Sequence, residues 1–186
     1  MPRKYEPQKW NKNIYTRYSH NCLAFFLQNI NHKMTRRCKS IYKRSKRKGT
    51  RKNSKLCIKL KPQPGYFSGY PKIKPKDYTC KTINKRLLAD TPDIFKTNFE
   101  KSCPRTYHKG ALVVDPKKMY HFYLENKKGS WSHKDGEEPA TNRDAEGKLI
   151  KDPKKAARNY RGQKLNYSKF CSYYCVPSRT NMSNKY

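Results

Sequence analysis

Asn21-Cys22-Leu23-Ala24-Phe25-Phe26-Leu27-Gln28-Asn29-Ile30 contains the longest apolar run of an otherwise polar chain. Leu23, Phe26, Leu27 and Ile30 recur at i, i+3, i+4 and i+7, which predicts one apolar helix face. Asn21 is a good N-cap, so Cys22 takes the first helical position. A thiol there sits in the positive end of the helix dipole, which favours the thiolate. The run is far shorter than the roughly 20 apolar residues needed to cross a bilayer.

Beyond this stretch the period changes. Residues 79–88 read as a helix through Ile83, Leu87 and Leu88, and Thr91-Pro92-Asp93 reads as the start of a short helix through Phe99. Residues 109–115, with Ala111-Leu112-Val113-Val114, form a short buried strand stopped by Pro116. Residues 119–125 alternate as a second strand, Asn126-Lys127-Lys128-Gly129 is a turn, and residues 130–133 are a third strand. Polar loop fills 135–156, and 170–176 reads as a last strand. Helices first and a small antiparallel sheet afterwards make the fold class α+β. If the hairpin turns about Lys127, His121 and His133 face each other across adjacent strands. His121 is then the candidate base for Cys22, and His133 the group that orients its imidazole. A purely structural role for all three side chains is the competing reading.

Charge narrows the partners. The chain has 186 residues, with 45 Lys+Arg against 13 Asp+Glu, for a net +32, and its mean hydropathy is −1.21. Such a balance disfavours an ordinary metabolic enzyme and points to a polyanionic or acidic partner. Aromatics at 13% argue against a wholly disordered chain. No acidic residue lies between Glu6 and Asp77, so residues 1–76 carry net +21 and residues 77–186 net +11. The densest part lies within 33–61 and includes Lys43, Arg44, Lys46, Arg47, Lys48, Arg51 and Lys52. Self-repulsion predicts a long loop there without a fold of its own, acting as an anion- or partner-binding arm. A spacer or nuclear-targeting run is the alternative. Tyr42 is the sole aromatic in the run, which favours contact to charge over base stacking.

The seven cysteines are odd in number, so at least one stays free if the others pair within the chain. Met1-Pro2-Arg3-Lys4 lacks the apolar core of a signal peptide, which suggests synthesis in a reducing compartment. There is no CxxC and no HExxH. Cys171 and Cys175, four apart on a strand, are too distant to share a metal or a disulfide. His32 with Cys38, or Cys80 with Cys103, could ligate a metal, yet nothing in the spacing demands one. The reading calls for no metal and no cofactor.

Several ordered segments carry a resemblance. Asn21-Cys22-Leu23-Ala24-Phe25 resembles the nucleophile opening of papain-like (NlpC/P60-related) cysteine hydrolases. It is followed by Gln63-Pro64-Gly65, Cys103-Pro104-Arg105, Tyr120-His121-Phe122-Tyr123, Trp131-Ser132-His133-Lys134, Thr141-Asn142 before Asp144, Asp152-Pro153 and Tyr173-Tyr174-Cys175-Val176-Pro177. The set is similar to small proteins of nucleocytoplasmic large DNA viruses and spans roughly 20–177. The resemblance implies a nucleophile helix packed on an antiparallel sheet, with Cys22, His121 and His133 as catalytic candidates and the basic 33–61 segment as an insertion. Residues 1–19 would be a basic N-terminal segment and 178–186 a tail. It also implies a protein made in the host cytoplasm and packaged in the virion. The expected function is a minor capsid-type structural protein on a scaffold that need not retain activity. Its partners would be capsid proteins or other acidic protein surfaces, nucleic acid or inner-membrane head groups. An active cysteine peptidase or amidase of entry or maturation, and a DNA-condensing protein, are the alternatives.

Overall fold

A computed structural model describes residues 4–47 and 54–178, and side chains there except those of 46, 47, 54 and 55. Among the described residues, five α-helices precede or flank a six-stranded antiparallel sheet: α1 (Gln8–Asn11), α2 (Ile14–Ser19), α3 (Cys22–Phe26), α4 (His32–Arg47) and α5 (Cys80–Asp90). The strands are β1 (Phe95–Thr97), β2 (Tyr107–Asp115), β3 (Met119–Glu125), β4 (Trp131–Lys134), β5 (Ala140–Thr141) and β8 (Lys169–Pro177), in the order β1-β8-β2-β3-β4-β5. A separate two-stranded ribbon joins β6 (Asn159–Tyr160) to β7 (Leu165–Asn166). The α+β class holds.

Both faces of the sheet are covered, so β2 is buried almost end to end and shows no polar alternation. Leu112 and Val114 meet Leu23, Phe26, Ile83 and Leu87 on the side of α3 and α5. Ala111 and Val113 meet Tyr123, Trp131, Ile150 and Tyr167 on the other side. Gly110 lies where α3 crosses β2: a Cβ there would overlap the Phe26 ring, so a side chain is excluded. α5 begins as the sequence suggests, Thr79 accepting from the Thr82 N–H at 3.1 Å.

Three expectations need correction. Helix α3 ends at Phe26 and does not reach Ile30. Gln28 adopts a left-handed φ of 53°, and the Gln28 and Asn29 amides return to the Phe25 and Ala24 carbonyls, closing the helix in a Schellman-type stop. The predicted helix from Thr91 through Phe99 is instead edge strand β1, because Phe95 and Thr97 pair with Cys175 and Tyr173 of β8. The 33–61 segment is not a loop without a fold. It contains α4, capped by Asn31 Oδ1 on the Met34 N–H at 3.1 Å, and a 3-10 helix at Ser54–Leu60. Met34, Cys38, Tyr42 and Ser45 are buried along one face of α4, and a Cys38–Cys57 disulfide pins that face to the 3-10 helix. Lys and Arg are good helix formers once such a face is anchored. Within the 1–19 segment, residues 8–19 likewise pack as α1 and α2, with Trp10 buried against Phe25 and Asn11 paired to Ala140.

Candidate functional site

Asn21 positions Cys22 as the sequence suggests: its Oδ1 accepts from the Ala24 N–H at 3.1 Å, and its Nδ2 donates to the Pro62 carbonyl at 2.8 Å. Cys22 is the single free cysteine. The other six form Cys38–Cys57, Cys80–Cys171 and Cys103–Cys175, so Cys38, Cys80 and Cys103 hold no thiolate for a metal. The helix behind Cys22 has five residues, too few for a strong dipole. Burial pushes its thiol up to about 12, and the Asp135 carboxylate adds to the rise. The Phe122 and Leu23 N–H groups and Lys134 act against it without prevailing.

His121 and His133 are brought together, by a register different from the one expected. Tyr123, not His121, stands directly opposite His133, so the two imidazoles meet on the diagonal. A shift of two residues preserves the face, and His121 Nε2 lies 2.8 Å from His133 Nδ1. His133 Nε2 lies 3.0 Å from the Arg143 carbonyl, which can only accept. With both rings neutral, His133 therefore carries its proton on Nε2, and His121 donates from Nε2 to His133 Nδ1. This leaves His121 Nδ1 as a bare, buried lone pair without a hydrogen-bond partner, 3.9 Å from Asp135 Oδ1. Burial lowers His121 to about 3 and His133 to about 4.

Cys22 is not joined to this pair. On β3 the side chains alternate: Phe122 packs with Cys22 on the α3 side, whereas His121 stacks on Tyr167 on the opposite side, centroids 5.1 Å apart. Among the described residues, Cys22 makes no hydrogen bond to either imidazole. Asp135, which sequence reading missed although it lies two residues past His133, stands near both: it lines the cleft with Cys22 and lies 3.9 Å from His121 Nδ1 without joining the two. Its neighbour Lys134 was missed too. Lys134 is fully buried and donates to the carbonyls of Arg17, His20 and Gly136 at 2.7, 2.8 and 2.6 Å. Burial and nearby Lys61 pull its pKa down to about 7, while three carbonyls claim all three ammonium protons. Lys134 thus ties the chain entering Cys22 to the Asp135–Gly136 turn. Between them opens a cleft of about 650 Å³, walled by Asn21, Cys22, Tyr66, Tyr78, Tyr120 and Asp135.

The basic segment forms a second candidate surface. Lys43 and Arg44 are exposed on α4. Lys46 and Arg47 belong to its last turn, and Lys48, Arg51 and Lys52 lie outside the described residues. No carboxylate occurs anywhere in the helix. No helix among the described residues is long and apolar enough to cross a membrane.

No family model and no solved structure matches the chain. It is 40% identical over 73 residues to "Insoluble matrix shell protein 1" of Ruditapes philippinarum, a match covering 39% of this chain and 45% of that protein. The chain therefore spans less than half the length of the curated relative it matches.

Proposed function

We propose that this protein is a structural component of an extracellular assembly and that it holds a polyanionic partner on helix α4. One observation carries the reading: α4 is an acid-free helix whose Lys33, Arg36, Arg37, Lys39, Lys43 and Arg44 are all exposed, on a backbone pinned by Cys38–Cys57. Cations held on a rigid scaffold lose less entropy on binding than cations on a free arm. Three disulfides support an oxidising setting, which a virus particle after assembly would provide and which an extracellular matrix would provide equally. The partial likeness to a protein named for a shell matrix agrees with a structural role. The virion role implied by the papain-like viral resemblance, with capsid proteins, lipid head groups or genome as partners, is one form of the same reading. Binding to immobilised heparin tests it. Retention at 50 mM salt and release by 0.5 M is expected, because exposed ionic contacts are screened. Failure to bind at low salt refutes the reading.

A second reading is favoured by one specific observation, the His121–His133 hydrogen bond in a chain that leaves Cys22 unpaired beside a cleft. In it, a cysteine hydrolase on a papain-like scaffold would use Cys22 as nucleophile, His121 as base and His133 to fix the His121 tautomer. Geometry and resting protonation both work against it: His121 stands on the face of β3 opposite Cys22 and makes no hydrogen bond to it, and a neutral thiol and a neutral imidazole are not the ion pair of an activated cysteine. Labelling of Cys22 by a thiol-reactive probe faster than a free thiol, and lost in His121→Ala, would establish this reading.

A further inference from the structure

We infer that one flank of α4 is a groove for the sulfate esters of a linear sulfated polysaccharide, an inference that rests on the polyanion reading above and names its ligand. Lys33, Arg36, Arg37, Ser40, Ile41 and Arg44 line a groove of about 250 Å³ whose far wall is Leu60 of the Ser54–Leu60 3-10 helix. The positions 33, 37, 40, 41 and 44 follow i, i+4, i+7, i+8 and i+11, a single stripe along the helix. Its cations recur along the axis at about 6 Å from Lys33 to Arg37 and about 10 Å from Arg37 to Arg44, at 1.5 Å per residue. Lys39 and Lys43 project from a different flank. The two sides of the groove, α4 and the 3-10 helix, are fastened together by Cys38–Cys57, so its width is set before any ligand arrives.

The chemistry of the lining selects the ligand. Neither Arg37 nor Arg44 has a carboxylate partner among the described residues, and both are exposed. A guanidinium presents a planar fork that takes two oxygens of one oxyanion, which suits a sulfate or phosphate ester. A folded acidic protein is a poor fit, because protein partners need an apolar centre to bury and this face offers only half-buried Ile41 and Leu60. A nucleic acid is also a poor fit, because no aromatic side chain lines the groove to stack a base, Tyr42 being turned into the core. The disulfide that sets the groove also belongs to oxidising surroundings, where sulfated polysaccharides are found.

The experiment compares binding of a fluorescent heparin hexasaccharide to the wild-type chain, to Arg37→Gln/Arg44→Gln and to Lys39→Gln/Lys43→Gln. Each double variant removes two charges from the same helix. The groove predicts at least a tenfold rise in Kd for the first variant and less than threefold for the second. Equal losses in the two would overturn the groove while leaving the general polyanion reading intact. No binding of heparin by the wild type at low salt would remove both. Arg37→Lys/Arg44→Lys keeps the charge and the fold but removes the forks, and a severalfold loss is expected from it. An unchanged Kd there would overturn the role of the guanidinium groups. Oligothymidylate and polyglutamate of matched charge serve as competitors. Competition by either one at or below the heparin concentration would overturn the assignment to sulfate esters in favour of phosphate or carboxylate.

Discussion

His121 donates to His133 and keeps an unprotonated Nδ1 facing Asp135, so acid must charge a ring that burial holds neutral, with only Asp135, 3.9 Å away, to offset the charge. His20 is in a similar position, its Nε2 accepting from the Asn31 N–H at 2.8 Å and burial lowering its pKa to about 4. For these three groups the folded pKa lies below the unfolded value near 6.5. The unfolded chain therefore binds protons first as pH falls. The stability these three groups contribute is complete above about pH 6.5 and is lost progressively towards pH 4 and 3. Urea unfolding at pH 7 and pH 5 should show a loss of about 1–2 kcal/mol per buried histidine. His20→Gln, which removes one titration, should flatten that dependence. Cys22 sets a second expectation: thiol titration of the native, unreduced protein should find one thiol per chain that reacts slowly, and rapidly in denaturant. More than one thiol would contradict the disulfide pairing.

Helix α4 places like charges at i,i+4 spacing, Lys33 with Arg37 and Lys39 with Lys43, each unfavourable by about 0.2–0.5 kcal/mol. Tertiary contacts of Met34, Cys38 and Tyr42 offset this cost. Raising NaCl from 20 to 500 mM should therefore raise Tm, and a bound polyanion should raise it further; a Tm that falls with salt would oppose this account. α3 and β2 supply the converse case, an interface with no slack. The Phe26 ring lies over Gly110 and packs on Phe122 at a 4.6 Å centroid separation. Gly110→Ala should cost about 1–3 kcal/mol through overpacking, read as a lower urea midpoint. Met34, Cys38 and Tyr42 stand at helical i, i+4 spacing. The charge density of the segment masks that signal, because repulsion shows in the sequence and the surface that absorbs it does not.

Across the molecule, covalent links tie segments distant in the sequence to one strand of the sheet. Cys80–Cys171 ties α5 to β8 across a sequence separation of 91, and Cys103–Cys175 ties the segment after β1 to the same strand. By chain entropy, loops of this length contribute about 4–5 kcal/mol each. Reduction should thus lower Tm by many degrees, and Cys80→Ala/Cys171→Ala should account for a large part of the change. The net charge of +32 acts over the same distances, through the whole field of the protein.

Local chemistry was enough to determine some of this. Asn21 as a cap, helix α5, strand β3 at its exact bounds, the α+β order and an odd, unpaired cysteine all follow from side-chain preference, periodicity or parity. The pairing of the cysteines did not follow, because a disulfide needs two α-carbons within about 6 Å and sequence distance says nothing of that. Nor did the two-residue shift that sets His121 diagonal to His133, or the alternation on β3 that turns His121 away from Cys22. A strand's two faces are equivalent until packing on α3 and on Tyr167 distinguishes them. The charge of α4 was written in the chain, whereas its rigidity, and hence which of its cations line a groove, depended on the fold that buries its other side.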